Sequence, residues 1–110
     1  MGEDIKKPLK VIVIDDEKTL SCLEYRADPL EVTYARTYEE GIALLEQSRW
    51  DELHLDWFLD ESYVGQDVLD WLSEHVECIP ASIIPCTDNF MRAKEIRFKA
   101  GALMSMRRKL

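Results

Sequence analysis

The chain has 110 residues, a formal net charge of −8 and three cysteines. This length predicts one domain at residues 10–110 behind an N-terminal tail at 1–9. Such a domain buries enough surface to fold without disulfides or a structural metal. The negative charge disfavours binding to nucleic acid or anionic membranes. No apolar stretch is long enough to span a bilayer, and the cysteines lack the spacing of a zinc site or a disulfide framework. We therefore expect a cytoplasmic protein with buried free thiols.

Three acidic residues close two short hydrophobic runs. Val and Ile fill residues 11–14, which Asp15 and Asp16 follow, and Asp56 follows a second run at 53–55. Such runs bounded by charge are typical of strands in a parallel sheet that is buried on both faces. The carboxyl ends of parallel strands share one edge, where ligands bind at the point of strand-order reversal. Carboxylates gathered there suit a hard cation, so the sequence predicts a metal site.

Hydrophobic periodicity and turn residues divide the chain into alternating strands and helices. The predicted strands cover residues 10–14, 31–35, 52–56, 81–84 and 102–106. The predicted helices are an unusually short one that ends before Pro29, one opened by a capping box at 37–40, one that follows Gly65, and one from about Phe90 to Ala100. Gly101 suits the C-cap of the last helix, and Pro85 suits the end of the fourth strand.

Five strands alternating with four helices predict an α/β fold with a doubly wound parallel sheet and right-handed crossovers. No fifth helix follows the last predicted strand. The face that such a helix would cover is therefore expected to be apolar and to meet a protein partner or a second copy, as a homodimer.

The positions of the acids and of Thr87 support a resemblance to a known family. The pair Asp15 and Asp16 after the first strand, Asp56 after the third, Thr87 after the fourth, and residues 100–102 before the fifth resemble the receiver domain of two-component response regulators. The resemblance covers nearly the whole chain from Lys10. It implies the flavodoxin-like strand order 2-1-3-4-5, which places the first and third strands side by side.

The resemblance also implies a metal-dependent phosphoacceptor site. Asp56 would accept the phosphoryl group, and Asp15, Asp16 and Asp56 would bind Mg²⁺ together with the backbone carbonyl of Phe58. A divalent ion between nucleophile and phosphoryl oxygens offsets the repulsion between like charges. Thr87 would donate a hydrogen bond to a phosphoryl oxygen.

A basic residue is expected at the end of the fifth strand in such a domain. Lys109 lies at the usual distance from Thr87, whereas Arg108 lies at the usual distance from Gly101. No proline follows either residue, although the family pattern is Lys-Pro. We assign Lys109 to the position and keep Arg108 as the alternative.

A second resemblance is to a receiver-like branch named for cyclic-phosphate processing. Its short members have a reduced first helix and a Leu-Asp-His-Asp-Leu motif after the third strand. The chain resembles this outline at residues 14–17, 55–59, 65–71 and 86–89. It departs from the branch where Trp57 and Phe58 stand in place of the His and Asp, and where Cys86 stands in place of a second His.

Three functions remain open from sequence. The first is a signalling domain that receives a phosphoryl group on Asp56 from a histidine kinase or another phosphodonor and acts through a protein contact. The second is a metal-dependent enzyme that cleaves a cyclic phosphate, with the same acids as ligands. The third is an interaction module that works without phosphorylation.

His54 is expected to be a structural strand residue rather than a proton shuttle.

Overall fold

The computed structural model describes residues 7–16, 29–59, 61–87 and 89–109. Within these ranges the strands are β1 (Leu9–Ile14), β2 (Leu30–Ala35), β3 (Glu52–Leu55) and β4 (Ser82–Pro85). The helices are α1 (Tyr38–Gln47), α2 (Gly65–Glu74) and α3 (Phe90–Arg108), and a 3-10 turn lies at Val76–Cys78.

The strands form a parallel sheet with the order β2-β1-β3-β4. This order confirms the prediction for four of the five expected strands. Ile14 pairs with Ala35 on one side and with Leu55 on the other, and Leu55 pairs with Pro85. All four carboxyl ends therefore lie at one edge, and the residues that follow β1 and β3 are neighbours.

The predicted fifth strand is wrong. Residues 102–106 continue α3, which runs without a break to Arg108, and the helix is capped at Lys109 rather than at Gly101. A glycine inside a helix costs about 1 kcal/mol relative to alanine. The buried positions Ala93, Ile96, Ala100 and Leu103 keep helical spacing on both sides of Gly101. Their packing outweighs this local cost.

The short first helix is predicted to begin at Asp15–Glu17 and to end before Pro29. Asp15 and Asp16 are not helical, and residues 17–28 lie outside the described ranges. The described part of the chain contains three α-helices. None of these three combines the length and the apolar composition that a membrane crossing requires.

The core lies on both faces of the sheet because β1 is buried along most of its length. Val11 and Val13 pack on one face with residues of β2, whereas Ile12 and Ile14 join the larger cluster on the other face. That larger cluster includes Leu53 and Leu55 of β3 and the buried sides of α1, α2 and α3. A strand with two apolar faces needs two covered faces, which agrees with the continuous Val/Ile run.

Side chains cap the amino ends of two helices where the sequence predicts starts. Thr37 Oγ1 accepts a hydrogen bond from the Glu40 N–H at 3.1 Å, and Asn89 Oδ1 accepts one from the Arg92 N–H at 3.0 Å. The Glu40 carboxylate accepts from the N–H of Arg36 rather than of Thr37, so the predicted capping box reaches one residue further back. Both caps fix helices directly after the sheet edge that carries the acids.

Candidate functional site

The three predicted acids meet at the carboxyl edge of the sheet. One carboxylate oxygen from each of Asp15, Asp16 and Asp56 lies within 4.8 Å of the other two. Backbone bonds extend the strand pairing into this cluster, since the Asp15 N–H donates to the Ala35 carbonyl and the Asp56 N–H to the Ile14 carbonyl, both at 3.0 Å. The β1–β3 pairing therefore determines the approach of the acids.

The Asp56 carboxyl group has a raised pKa, chiefly because it is partly buried. Burial, together with a hydrogen bond that protonated Asp56 donates to the Asp15 side chain and the charges of Asp15 and Asp16, raises the pKa of Asp56 to about 7. The Trp57 N–H donates to Asp56 Oδ1 at 2.8 Å and opposes the increase. Asp15 itself is only 5% exposed. A metal cation bound at these carboxylates would displace the proton from Asp56.

The donor set fits a small hard cation. Carboxylate oxygens are the ligands that Mg²⁺ prefers, at about 2.1 Å, so two oxygens on opposite sides of one ion lie about 4.2 Å apart. The observed separation of up to 4.8 Å is close to this distance. A small inward movement, or one carboxylate binding through water, would complete the fit. The side chains follow the carboxyl ends of two paired strands, which keeps this movement small.

A tight loop after Asp56 shapes one wall of the site. The Gly65 N–H donates to the Trp57 carbonyl at 2.6 Å, and Phe58 and Val64 form an isolated antiparallel bridge. A Cβ on Gly65 would overlap the backbone carbonyl oxygen of Asp56. Glycine is required here because another part of the backbone approaches so closely. The Phe58 carbonyl lies in this closed loop, and its role as a metal ligand stays a proposal.

An aromatic pair holds the far side of the same loop. The ring of Tyr63 stacks on Tyr38 at the start of α1, with centroids 4.0 Å apart and planes 11° from parallel. Burial and the neighbouring Tyr63 raise the pKa of the Tyr38 hydroxyl. The loop is thus attached at its start to β3 and at its end to both α1 and α2, which restricts the backbone beside Asp56.

Thr87 lies in the connection from β4 to α3. The Cys86 N–H donates to the Leu55 carbonyl at 2.9 Å, so this connection starts beside the end of β3. Thr87 Oγ1 accepts a hydrogen bond from the Asn89 N–H at 3.2 Å. The structure therefore places Thr87 at the same edge as the acids, on a segment that the N-cap of α3 also fixes.

Lys109 and Arg108 do not reach the acid cluster in this structure. Both stand at the carboxyl end of α3, and the neighbouring Arg107 donates from Nε to the Ile79 carbonyl, before the start of β4. This is the opposite end of the sheet from Asp56. The expected position depended on a fifth strand returning to the acid edge, and the continuous helix carries these residues away from it.

Arg92 is a cation near the site that the sequence pattern did not predict. Its guanidinium carbon lies 4.4 Å from the centroid of the Trp57 ring, and Trp57 directly follows Asp56. Trp57 is only 5% exposed, so its ring is largely buried. A sequence signal existed, because an N-cap at Asn89 puts Arg92 in the first helical turn beside the end of β4.

His54 is not part of the acid cluster. Its Nε2 lies 2.9 Å from Glu52 Oε1, and both residues are buried within β3. This pairing agrees with the structural role that the sequence predicts. Of the other tryptophans, Trp50 is buried and its Nε1–H donates to the Leu44 carbonyl, and Trp71 stacks on His75.

Solved structures of receiver domains and response regulators are similar to this fold. The signal receiver domain of a candidate Luxo repressor protein from Vibrio parahaemolyticus has 26% identity and a TM-score of 0.66, over 84% of this chain and 73% of that one. The phosphorylated cyanobacterial phytochrome response regulator RcpA has 21% identity and a TM-score of 0.68, over 88% and 76%. The Francisella response regulator 1452 receiver domain has 16% identity and a TM-score of 0.61, over 92% and 98%.

The two structures below 25% identity establish the fold alone. No curated protein matches the chain significantly. A family model described as the cyclic-phosphate processing receiver domain matches residues 10–100, which include the acids, Thr87 and Arg92. The chain belongs to the family of cyclic-phosphate processing receiver domains.

Proposed function

We propose that this receiver domain binds Mg²⁺ and accepts a phosphoryl group on Asp56. The observation that carries the proposal is the meeting of three carboxylates at the ends of β1 and β3, with ligand oxygens within 4.8 Å of one another. Receiver signalling is the function that the family and the similar structures support. The histidine kinase or small phosphodonor, the cation and the acceptor residue are parts of the proposal.

With a small acyl phosphate as donor, the phosphoryl group passes from one carboxylate oxygen to another. A carboxylate oxygen of Asp56 attacks the phosphorus of an acyl phosphate donor, a new O–P bond forms, and the donor carboxylate leaves with the electron pair of the broken bond. Asp15 and Asp16 hold the cation, which supplies charge neutralisation and orientation when bound. Because protonated Asp56 is a poor nucleophile, loss of its proton precedes attack.

Thr87 is suited to bind the new phosphoryl group. A hydroxyl accepts and donates at the same time, so Thr87 can keep the bond from the Asn89 N–H while its own O–H turns to a phosphoryl oxygen. That bond would draw the β4–α3 connection towards Asp56. The added charge and oxygens would thereby shift α3, a local event with an effect on a protein contact.

The output surface in this proposal includes the solvent side of α3. Phe90, Met91 and Phe98 are 72%, 62% and 82% exposed, which is unusual for large apolar side chains on one helix. A movement of α3 would change how these side chains are presented to a protein partner, whether a different protein or a second copy.

Intact-mass analysis tests the proposal. The domain is incubated with Mg²⁺ and acetyl phosphate, beside Asp56→Asn and beside wild type with a chelator. One phosphoryl group added to wild type with Mg²⁺, and none added to Asp56→Asn or to wild type with the chelator, would support the proposal. An unmodified wild type would contradict it and would favour an interaction module that works without phosphorylation, whose partner binding is insensitive to metal and to Asp56→Asn.

Metal-dependent cleavage of a cyclic phosphate is the second candidate, and the family match at residues 10–100 favours it. Trp57, Phe58 and Cys86 replace the His, Asp and His of the branch pattern, so water activation would depend on the acids and a bound cation. Turnover of a 2′,3′-cyclic nucleotide that needs Mg²⁺ and is lost in Asp15→Ala would select this function. Absence of turnover in wild type would exclude that substrate class.

A further inference from the structure

Arg92 is fixed in position by two independent contacts. Its backbone N–H donates to the capping side chain of Asn89 at 3.0 Å, which holds the first turn of α3. Its guanidinium lies over the Trp57 ring, 4.4 Å from the centroid. A cation over an indole face at this distance is an attractive arrangement, and tryptophan is the best aromatic partner for it.

Trp57 connects this guanidinium to the acceptor. The residue is adjacent to Asp56 in the chain, and its N–H donates to Asp56 Oδ1 at 2.8 Å. On the other side, the Cys86 N–H bond to the Leu55 carbonyl holds the segment leading to α3 against the end of β3. The first turn of α3 and the Trp57 ring therefore lie beside the segment that directly follows Asp56.

The acid cluster needs positive charge beyond one divalent ion. A phosphoryl group adds a charge of about −1.5 to −2 beside the carboxyl groups of Asp15 and Asp16. The fifth-strand cation expected from sequence is absent from this edge, because Lys109 ends a helix at the other end of the sheet. Among the described residues, Arg92 places a guanidinium against Trp57, which directly follows the acceptor Asp56.

Stacking leaves the donors of an arginine available. The guanidinium uses its face against an aromatic ring, whereas its N–H groups point outward in its own plane and match two oxygens of a phosphate. Arg92 also lies 3.5 Å from the Glu95 carboxylate, but these side chains are 42% and 43% exposed. Exposed pairs contribute little to stability, so exchange of Glu95 for a phosphoryl oxygen costs little.

We propose that Arg92 binds the phosphoryl group on Asp56 from its place on Trp57, in the role that the sequence pattern assigns to Lys109. This inference rests on the proposed function. It assigns to α3 a direct bond to the phosphoryl group, so that phosphorylation changes the first turn of the helix as well as the preceding connection.

The test compares adduct formation from acetyl phosphate in four proteins with saturating Mg²⁺. Arg92→Gln keeps the side-chain stem and a planar group but removes the charge, Arg92→Lys restores the charge, and Arg97→Ala removes an exposed cation elsewhere on α3. A hydrogen bond to a charged group contributes about 1.5 to 3 kcal/mol. We expect Arg92→Gln to form the adduct roughly tenfold or more slowly. Arg92→Lys should recover only part of the rate, because it restores the charge but not the planar group that matches two oxygens, and Arg97→Ala should match wild type.

A further variant separates binding from packing. Glu95→Gln removes the competing carboxylate, and we expect it to form the adduct at least as fast as wild type, with Mg²⁺ affinity and thermal midpoint unchanged. Equal rates in wild type and Arg92→Gln, or equal slowing in Arg92→Gln and Arg97→Ala, would overturn the role of Arg92 and leave the proposed function standing. A wild type that forms no adduct would overturn the proposed function and this inference together.

Discussion

Gly65 lies so close to the carbonyl oxygen of Asp56 that a single added Cβ would overlap it. Gly65→Ala must therefore displace either α2 or the backbone of the acceptor. Overpacking of this kind typically costs about 1 to 3 kcal/mol. We predict a lower free energy of unfolding by about that amount, measured by urea denaturation, and weaker Mg²⁺ binding measured by calorimetry. Unchanged stability and unchanged metal affinity would show that the contact is not rigid.

Gly101→Ala is the matched control for that substitution. The site of its added Cβ is open, with no atom within 4 Å, and the residue lies inside α3. Removing a glycine from a helix interior stabilises by about 0.5 to 1 kcal/mol. We expect a higher unfolding free energy with no effect on Mg²⁺ binding. A destabilised Gly101→Ala would mean that the alanine Cβ meets an obstacle.

This pair of glycines illustrates what sequence patterns could and could not predict. The loop ending at Gly65 was predicted, because turn residues separate a strand from a strongly periodic helix. Gly101 was assigned to a helix end on local preference, and the assignment failed because packing of Ile96, Ala100 and Leu103 extends across it. Long-range contacts of this kind leave only a weak trace in local sequence.

Stability without metal should decrease as the pH rises. The pKa of Asp56 is raised from 3.8 to about 7 by folding, so between these values the folded protein holds a proton that the unfolded chain releases. Unfolding therefore releases a proton, and the free energy of unfolding falls with increasing pH. The contribution of Asp56 to stability is complete below about pH 4 and lost above about pH 7. Thermal melts in chelator from pH 4.5 to 8 measure this slope.

Two comparisons assign the slope to the acid cluster. Asp56→Asn keeps a neutral side chain at every pH, so its melting temperature should depend less on pH than that of wild type over the same range. Mg²⁺ should raise the wild-type midpoint most at pH 8, where no proton competes for the carboxylates. An identical pH slope in Asp56→Asn and wild type would contradict the assignment.

Trp57 should report cation binding through its fluorescence. Its N–H bonds Asp56 and its ring contacts Arg92, whereas Trp50 and Trp71 have their contacts elsewhere. A Mg²⁺ titration should change the emission of wild type and of Trp50→Phe to a similar extent, and should leave Trp57→Phe unresponsive. If Trp57→Phe keeps the full response while still binding Mg²⁺, the signal comes from another tryptophan.

The candidate site was predictable where it depends on strand ends and not where it depends on the last helix. Asp15, Asp16 and Asp56 each follow a buried run, and parallel pairing then brings them together. Lys109 was placed by counting residues to a strand that does not form. Arg92 was missed because its contact with Trp57 joins two segments that are distant in sequence.

Peptide mapping after borohydride reduction tests the central claim most directly. Wild type is treated with acetyl phosphate and Mg²⁺, and reduction converts an acyl phosphate on an aspartate into homoserine, which tandem mass spectrometry locates. The account predicts homoserine at position 56 only, dependent on Mg²⁺. Homoserine at position 15 or 16, or a domain that binds Mg²⁺ at the three acids and stays unmodified, would contradict it.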